Sequence, residues 1–128
     1  MKTILIIDDD PDVRDVLRIA LTTERPYRVV EAQDGEDGLE KMRRERPDVV
    51  LCDIRMPRLN GYQFVVRTAQ DPALSRVPVI IMTSLTSDGE RTDEQWRQSM
   101  GVADFISKPF HPTDIVQRVD RLVANGTR

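Results

Sequence analysis

The chain has 128 residues, 39% hydrophobic and 32% charged, with a formal net charge of −3. That length suits one domain with its own core, that balance excludes a disordered chain, and that charge offers no bulk attraction to nucleic acid or anionic lipid. The apolar runs are strand-sized, well short of the roughly 20 residues that cross a bilayer, and Met1-Lys2 enters a strand rather than a secretory leader; one cytoplasmic domain over 1–128 is expected.

Thr3 to Ile7 is an unbroken apolar, largely β-branched run, the pattern of a strand covered on both faces. It ends on Asp8-Asp9-Asp10. Asp10 and Pro11 then have the character of an N-cap and a first helical residue, and Val13, Val16, Leu17, Ala20 and Leu21 recur at helical spacing over 11–24. A short second strand follows at 27–32. Asp34-Gly35 turns the chain into a helix over 36–45 with Leu39 and Met42 on its apolar side. The basic residues Lys41, Arg43, Arg44 and Arg46 at its end read as a solvated face, since cations favour a helix C-terminus and Glu40 can pair with Arg44.

Val49 to Asp53 is the third strand, an apolar run that stops on a carboxylate. Cys52, the only cysteine, excludes an internal disulfide and reads as a small buried hydrophobe. A loop through Pro57, Asn60 and Gly61 leads to a third helix carrying Phe64, Val65 and Thr68, which Asp71-Pro72 breaks. Strand 4 is expected at 77–82, ending on Thr83-Ser84. A polar loop to Asp88-Gly89 precedes a fourth helix with Trp96 and Met100, closed by Gly101. Phe105 and Ile106 form a last strand, Lys108-Pro109 follows, and Pro112 opens a fifth helix with Ile115, Val116, Val119, Leu122 and Val123 on one face, ending at Gly126. His111, the only histidine, is read as a loop or cap residue.

Strands alternating with helices imply an α/β fold: a five-stranded parallel sheet, helices on both faces, in the flavodoxin-like order 2-1-3-4-5. All strand C-termini then share one edge, where such sheets bind ligands. Here that edge collects Asp8, Asp9, Asp53, Thr83, Ser84 and Lys108. Taken singly, Asp10 and Asp12 suit cap and helix-dipole roles, and for Asp8 and Asp9 those roles and a functional one are evenly balanced. The convergence from four strands is what points to a site.

Two like charges about 4 Å apart repel by roughly 4 kcal/mol at an effective dielectric near 20. Lys108 supplies one compensating charge, and a divalent cation with hard oxygen ligands, Mg²⁺ or alternatively Mn²⁺, would balance the rest. Acids with Lys and Thr but no basic His suit phosphoryl chemistry, with a carboxylate as nucleophile. Lys108 stands out because nearly all other basic residues are arginine. The sequence has no Gly-rich phosphate loop, no G-x-G-x-x-G after strand 1 and no G-x-S-x-G elbow.

Ile6-Ile7-Asp8-Asp9-Asp10, Asp53-Ile54-Arg55-Met56-Pro57 with Gly61, Met82-Thr83-Ser84 and Lys108-Pro109-Phe110 together resemble the receiver domains of bacterial two-component response regulators, chemotaxis-type single-domain receivers among them, over nearly the whole chain. The resemblance implies that Asp53 accepts a phosphoryl group from a sensor histidine kinase or phosphotransfer protein. Asp9, Asp53 and the Arg55 backbone carbonyl would bind Mg²⁺ directly, with Asp8 acting largely through water. Thr83 and Lys108 would contact phosphoryl oxygens, and the Lys108-Pro109 peptide is expected to be cis. The switch it implies couples movement of Thr83 with an inward turn of Phe105, remodelling the surface of helix 4, strand 5 and helix 5 to control a downstream protein target. Plain core packing is the other reading of Phe105.

On this reading the chain catalyses only its own phosphorylation and dephosphorylation. It binds no nucleic acid directly and no membrane, and is a monomer or a phosphorylation-dependent dimer. Two features depart from or vary within the family pattern: the stretch between Thr83 and Lys108 is longer than usual, and Arg55 and Leu85 occupy variable positions that influence phosphate lifetime. Two rivals remain: a pseudo-receiver that never takes phosphate, and an aspartyl-nucleophile phosphatase, whose D-x-D motif would need an acid where Arg55 stands.

Overall fold

In the computed structural model, which describes residues 1–56, 59–84 and 102–126, the chain alternates strand and helix from its first element. The elements are β1 (Thr3–Ile7), α1 (Pro11–Thr23), β2 (Arg28–Ala32), α2 (Gly35–Glu45), β3 (Val49–Asp53), α3 (Gly61–Ala69), β4 (Val79–Ser84), β5 (Asp104–Lys108) and α4 (Pro112–Gly126). The predicted helix with Trp96, Met100 and Gly101 lies outside the described residues, as do Pro57, Leu85 and Asp88-Gly89, so α4 here denotes the final helix.

The sheet is parallel throughout, in the order β2-β1-β3-β4-β5. Its central strands are closed on both sides: Ile4 to Ile7 and Val49 to Cys52 are all 0% exposed, which is why they read as continuous apolar runs without alternation. Alternate residues feed two cores. Ile4, Ile6, Leu51, Ile80 and Met82 pack with Leu17 and Leu21 of α1 and Ile115, Val116 and Val119 of α4. Leu5, Ile7, Val50, Cys52 and Ile81 pack with Leu39 and Met42 of α2 and Phe64 and Val65 of α3. Each such aliphatic side chain contributes about 1.5–3 kcal/mol on burial, so removing one central leucine or isoleucine is a large fraction of net stability.

Local chemistry sets the helix starts. The Asp10 side chain accepts the Asp12 N–H and Pro11 occupies the first helical position of α1; Asp34 caps α2 through the Asp37 N–H. Asn60 and Gln63 form a reciprocal capping box on α3. His111 Nδ1 accepts the Thr113 N–H at 3.2 Å, the cap role expected for it.

Three expectations shift. β4 begins at Val79 rather than at 77 and runs on through Ser84. Pro78 has no N–H to enter the ladder, while Thr83 and Ser84 continue it against Ser107 and Lys108, because ladder hydrogen bonds are indifferent to side-chain polarity. β5 is likewise longer than Phe105 and Ile106, taking in Asp104, Ser107 and Lys108. Lys41 departs from the solvated face expected of the α2 basic residues: its ammonium donates to the Glu31 carbonyl at 2.6 Å and lies 3.3 Å from Asp37. Arg44 follows the expectation, 3.8 Å from Glu40.

Candidate functional site

Because every strand runs the same way, the ends of β1, β3, β4 and β5 deliver their terminal residues to one edge. Asp8 follows β1, Asp53 ends β3, and Lys108 ends β5. In the ladder Asp53 pairs with Met82, one residue short of Thr83, and Thr83 pairs with Ser107, one short of Lys108. The staggered ends bring residues separated by a hundred positions in sequence into contact.

Asp8 is fully buried, Asp53 is 4% exposed, and Asp9 faces solvent. One carboxylate oxygen from each lies within 4.8 Å of the others. Lys108 Nζ sits 3.0 Å from Asp8 Oδ2 and 3.5 Å from Asp53 Oδ1. Asp8 is thereby fully engaged, its other oxygen accepting the Asp10 N–H at 2.9 Å. Asp53 is less so: Oδ1 is buried and makes no hydrogen bond among the described residues, only the 3.5 Å ion pair with Lys108, while the Thr83 hydroxyl, on a residue 5% exposed, has no hydrogen-bond partner among them at all. Buried polar atoms are hydrogen-bonded in roughly nine cases in ten, which makes an unbonded hydroxyl and an under-satisfied carboxylate oxygen at one edge informative.

The charge balance is incomplete as well. Burial first, and then the Asp8 charge, push the Asp53 carboxyl up to about 6, against the pull of Lys108 and of a hydrogen bond from the Arg55 backbone. Burial also works against the Lys108 ammonium, but its bond to Asp8 and the charges of Asp53 and Asp8 outweigh it and hold the lysine above its ordinary value. One lysine does not neutralise this cluster.

Hard oxygen donors, net negative charge and a buried carboxylate oxygen without a hydrogen bond fit a small divalent cation such as Mg²⁺. Beside the cluster a cavity of about 420 Å³, lined by Asp9, Ile54, Arg55, Met56 and Asn60, leaves room for waters and an incoming group. The loop that forms one wall is held close by Gly61, whose N–H donates to the Ile54 carbonyl at 3.0 Å. A Cβ there would lie 2.6 Å from the Asp53 carbonyl oxygen and 2.7 Å from Ile54 Cα, so glycine is required by close approach rather than by backbone angle.

Asp8, Asp9, Asp53 and Lys108, all expected from the sequence, are therefore together, with Thr83 at the neighbouring strand end. The Lys108–Pro109 peptide is cis. Phe105 is 2% exposed, packed in the core on the α2 and α3 side. Cys52 is fully buried, and burial raises its thiol well above the usual range, consistent with a packing role. Sequence reading missed Arg14, whose guanidinium donates to the Asp8 carbonyl at 2.6 Å. An arginine in the first turns of an amphipathic helix carries no sequence mark that separates it from solvated charge.

Residues 4–120 match the family described as the response regulator receiver domain. PilH of Pseudomonas aeruginosa is 38% identical over 124 residues, covering 97% of this chain and 99% of that protein. GtcR of Aneurinibacillus migulanus, a response regulator, is also 38% identical, but this chain spans 46% of its length. Among solved structures, the receiver domain of a Syntrophus aciditrophicus signal transduction histidine kinase has a TM-score of 0.89 at 27% identity, covering 100% of this chain and 94% of the other. The chemotaxis protein CheY4 of Vibrio cholerae has a TM-score of 0.83 at 27% identity, covering 95% and 98%.

Proposed function

This chain belongs to the response regulator receiver domain family of two-component signalling, and on that footing we propose that it accepts a phosphoryl group on Asp53 from a sensor histidine kinase or phosphotransfer protein. The observation that carries the reading is a buried Asp53 oxygen met only by the Lys108 ammonium at 3.5 Å, next to a strand end whose buried Thr83 hydroxyl has no hydrogen-bond partner among the described residues. A phosphoryl group on Asp53 would give Thr83 an acceptor. An apolar pair of the same shape would serve a purely structural protein better.

Asp53 attacks phosphorus as the ionised carboxylate, the P–N or P–O bond to the donor breaks, and an acyl phosphate forms. Lys108, 3.5 Å from Asp53, stays protonated and meets the oxygens that gain charge. Asp9, Asp53 and the Arg55 carbonyl would hold Mg²⁺, while Asp8, both of whose oxygens are already bonded, would act through water. When bound, that ion neutralises charge on the transferring group. Thr83 then follows the phosphoryl oxygens, and with Phe105 packed inward the surface formed by β5, α4 and the segment before β5 changes for a downstream protein partner. The domain spans 1–128, works in the cytoplasm where its donors are, and itself catalyses only the making and losing of its own phosphate. The esterase relative in Myxococcus xanthus is matched over only 31% of its length.

The test is intact mass after incubation with acetyl phosphate. One phosphoryl adduct is expected with Mg²⁺, and none after chelation or in Asp53→Asn. A wild-type protein that takes no adduct is a pseudo-receiver, and one that turns over many phosphate esters is a phosphatase; either result rejects the proposal.

A further inference from the structure

Asp9 is the exposed member of the acidic cluster, and among the described residues no side chain bonds or ion-pairs with its carboxylate. Its direction is set from the backbone instead. Each peptide unit is a rigid plane, so fixing the planes on either side of a Cα fixes where its Cβ points. The plane between Asp9 and Asp10 is held by the Asp10 N–H donating to Asp8 Oδ1 at 2.9 Å. The plane between Asp8 and Asp9 is held at its oxygen, where Arg14 Nη1 donates at 2.6 Å.

Arg14 is itself built in. Its side chain is 19% exposed, and Nε donates to Glu31 Oε1 at 3.0 Å. The other Glu31 oxygen accepts from Arg18 Nη1 at 3.0 Å, and the Glu31 carbonyl accepts from Lys41 at 2.6 Å. Thus β2, α1 and α2 all tighten on Glu31, which aims one edge of the Arg14 guanidinium so that another reaches the Asp8 carbonyl. A planar fork can serve a carboxylate and a carbonyl at once, whereas an ammonium cannot keep both in one plane. A simple ion pair between Arg14 and Glu31 would be worth about 0–1 kcal/mol and would need no bond to the turn.

We propose that Arg14, oriented by Glu31, is a positioning residue for divalent-cation binding: by clamping the Asp8–Asp9 peptide it pre-sets the Asp9 carboxylate toward Asp53. This rests on the reading of the acidic cluster as a Mg²⁺ site. The sign of one measurement separates positioning from mere charge. As a nearby cation Arg14 repels Mg²⁺, so its removal should tighten binding; as a clamp it aids Mg²⁺, so its removal should weaken it.

Mg²⁺ alone is titrated into the unphosphorylated full chain by calorimetry, in about 0.5 M salt, where screening lengths fall to roughly 4 Å and remote charge counts little. Arg14→Ala is expected to raise the dissociation constant roughly tenfold, the low end for a group that orients a metal ligand. Arg14→Lys should recover part of that loss, and Glu31→Gln, which leaves Arg14 present but offers one uncharged acceptor oxygen in place of the two that Arg14 and Arg18 now use, should weaken binding about threefold. The deficit in Asp53 phosphorylation by acetyl phosphate should shrink as Mg²⁺ is raised. Equal or tighter Mg²⁺ binding by Arg14→Ala overturns the proposal, as does a phosphorylation deficit that saturating Mg²⁺ leaves untouched. If Arg14→Ala melts without cooperativity, Glu31→Gln decides: weaker binding supports the clamp, and unchanged binding rejects it. Wild-type protein that binds no Mg²⁺ removes the functional reading itself, a result distinct from any of these.

Discussion

Asp53 is held in a state that favours neither water nor a finished ion pair. Its carboxyl sits near 6, above the 3.8 of a free aspartate, because burial and Asp8 together outweigh Lys108. The folded state therefore holds that proton more tightly than the unfolded chain does. Stability must fall as pH rises from about 4 to about 6, and above that range the ionised group costs up to about 3 kcal/mol in the absence of a cation. Asp53→Asn should accordingly stabilise the metal-free protein at pH 7.5, with the gain fading toward pH 4. Urea melts at several pH values would show it, and a variant no more stable than wild type at pH 7.5 would contradict it. Thr83 follows the same logic. Thr83→Val replaces a buried hydroxyl that lacks a partner with a methyl of similar shape, so metal-free stability should hold or rise by about 1 kcal/mol while phosphorylation slows. These residues were legible in the sequence because acids, a hydroxyl and a rare lysine are out of place after apolar strands. Arg14 was not, because its role depends on a backbone oxygen, which no side-chain pattern records.

At the scale of elements, two junctions carry strain or close contact. α2 ends at Arg46, which adopts φ 49, a left-handed conformation where glycine is usual. Arg46→Gly should therefore stabilise by about 0.5–1 kcal/mol, less whatever the added freedom of the unfolded chain removes, as thermal melts would reveal. The start of α3 is constrained in the opposite sense. Gly61→Ala drives a Cβ into the Asp53–Ile54 backbone, and should cost about 2 kcal/mol together with weaker Mg²⁺ binding, since the contact lies directly under the site. Helix and strand types followed from periodicity and the α1 cap from Asp10, whereas Asp34 and Asn60 read only as turn and loop residues and prove to be caps. The ends of β4 and β5 did not follow from periodicity, because ladder hydrogen bonds are indifferent to side-chain polarity and so polar residues such as Thr83, Ser84 and Ser107 stay in the ladder.

Across the whole molecule, the same sheet edge gathers charge and distributes restraint. α4 is tied to β5 by Arg118, which donates to Asp104 and to the Phe105 carbonyl, both at 2.9 Å. It is tied to the start of β2 by Asp120, which accepts from Tyr27 and Arg25. Under the proposed switch, a movement at Thr83 would meet a helix anchored at two points, not a free surface. If Mg²⁺ relieves the repulsion at the edge, a concentration one hundred times its dissociation constant should add about 2.7 kcal/mol and raise the melting temperature by roughly 8–10 °C. Asp9→Ala should abolish that rise. The sheet order could be read in advance because alternation of strand and helix with right-handed crossovers leaves few topologies. Which buried polar atoms go unbonded, and that Arg14 bonds the Asp8 carbonyl, depend on tertiary contacts that no sequence pattern carries.

An acyl phosphate on Asp53 would be trapped by borohydride. An acyl phosphate is reduced to an alcohol where a free carboxylate is not, so treatment after incubation with acetyl phosphate and Mg²⁺ should convert Asp53 to homoserine, located by peptide mass. Conversion at position 53 alone, and only when donor and Mg²⁺ are both present, is the predicted result. Reduction at another acid, or none while the protein remains folded, would contradict the account.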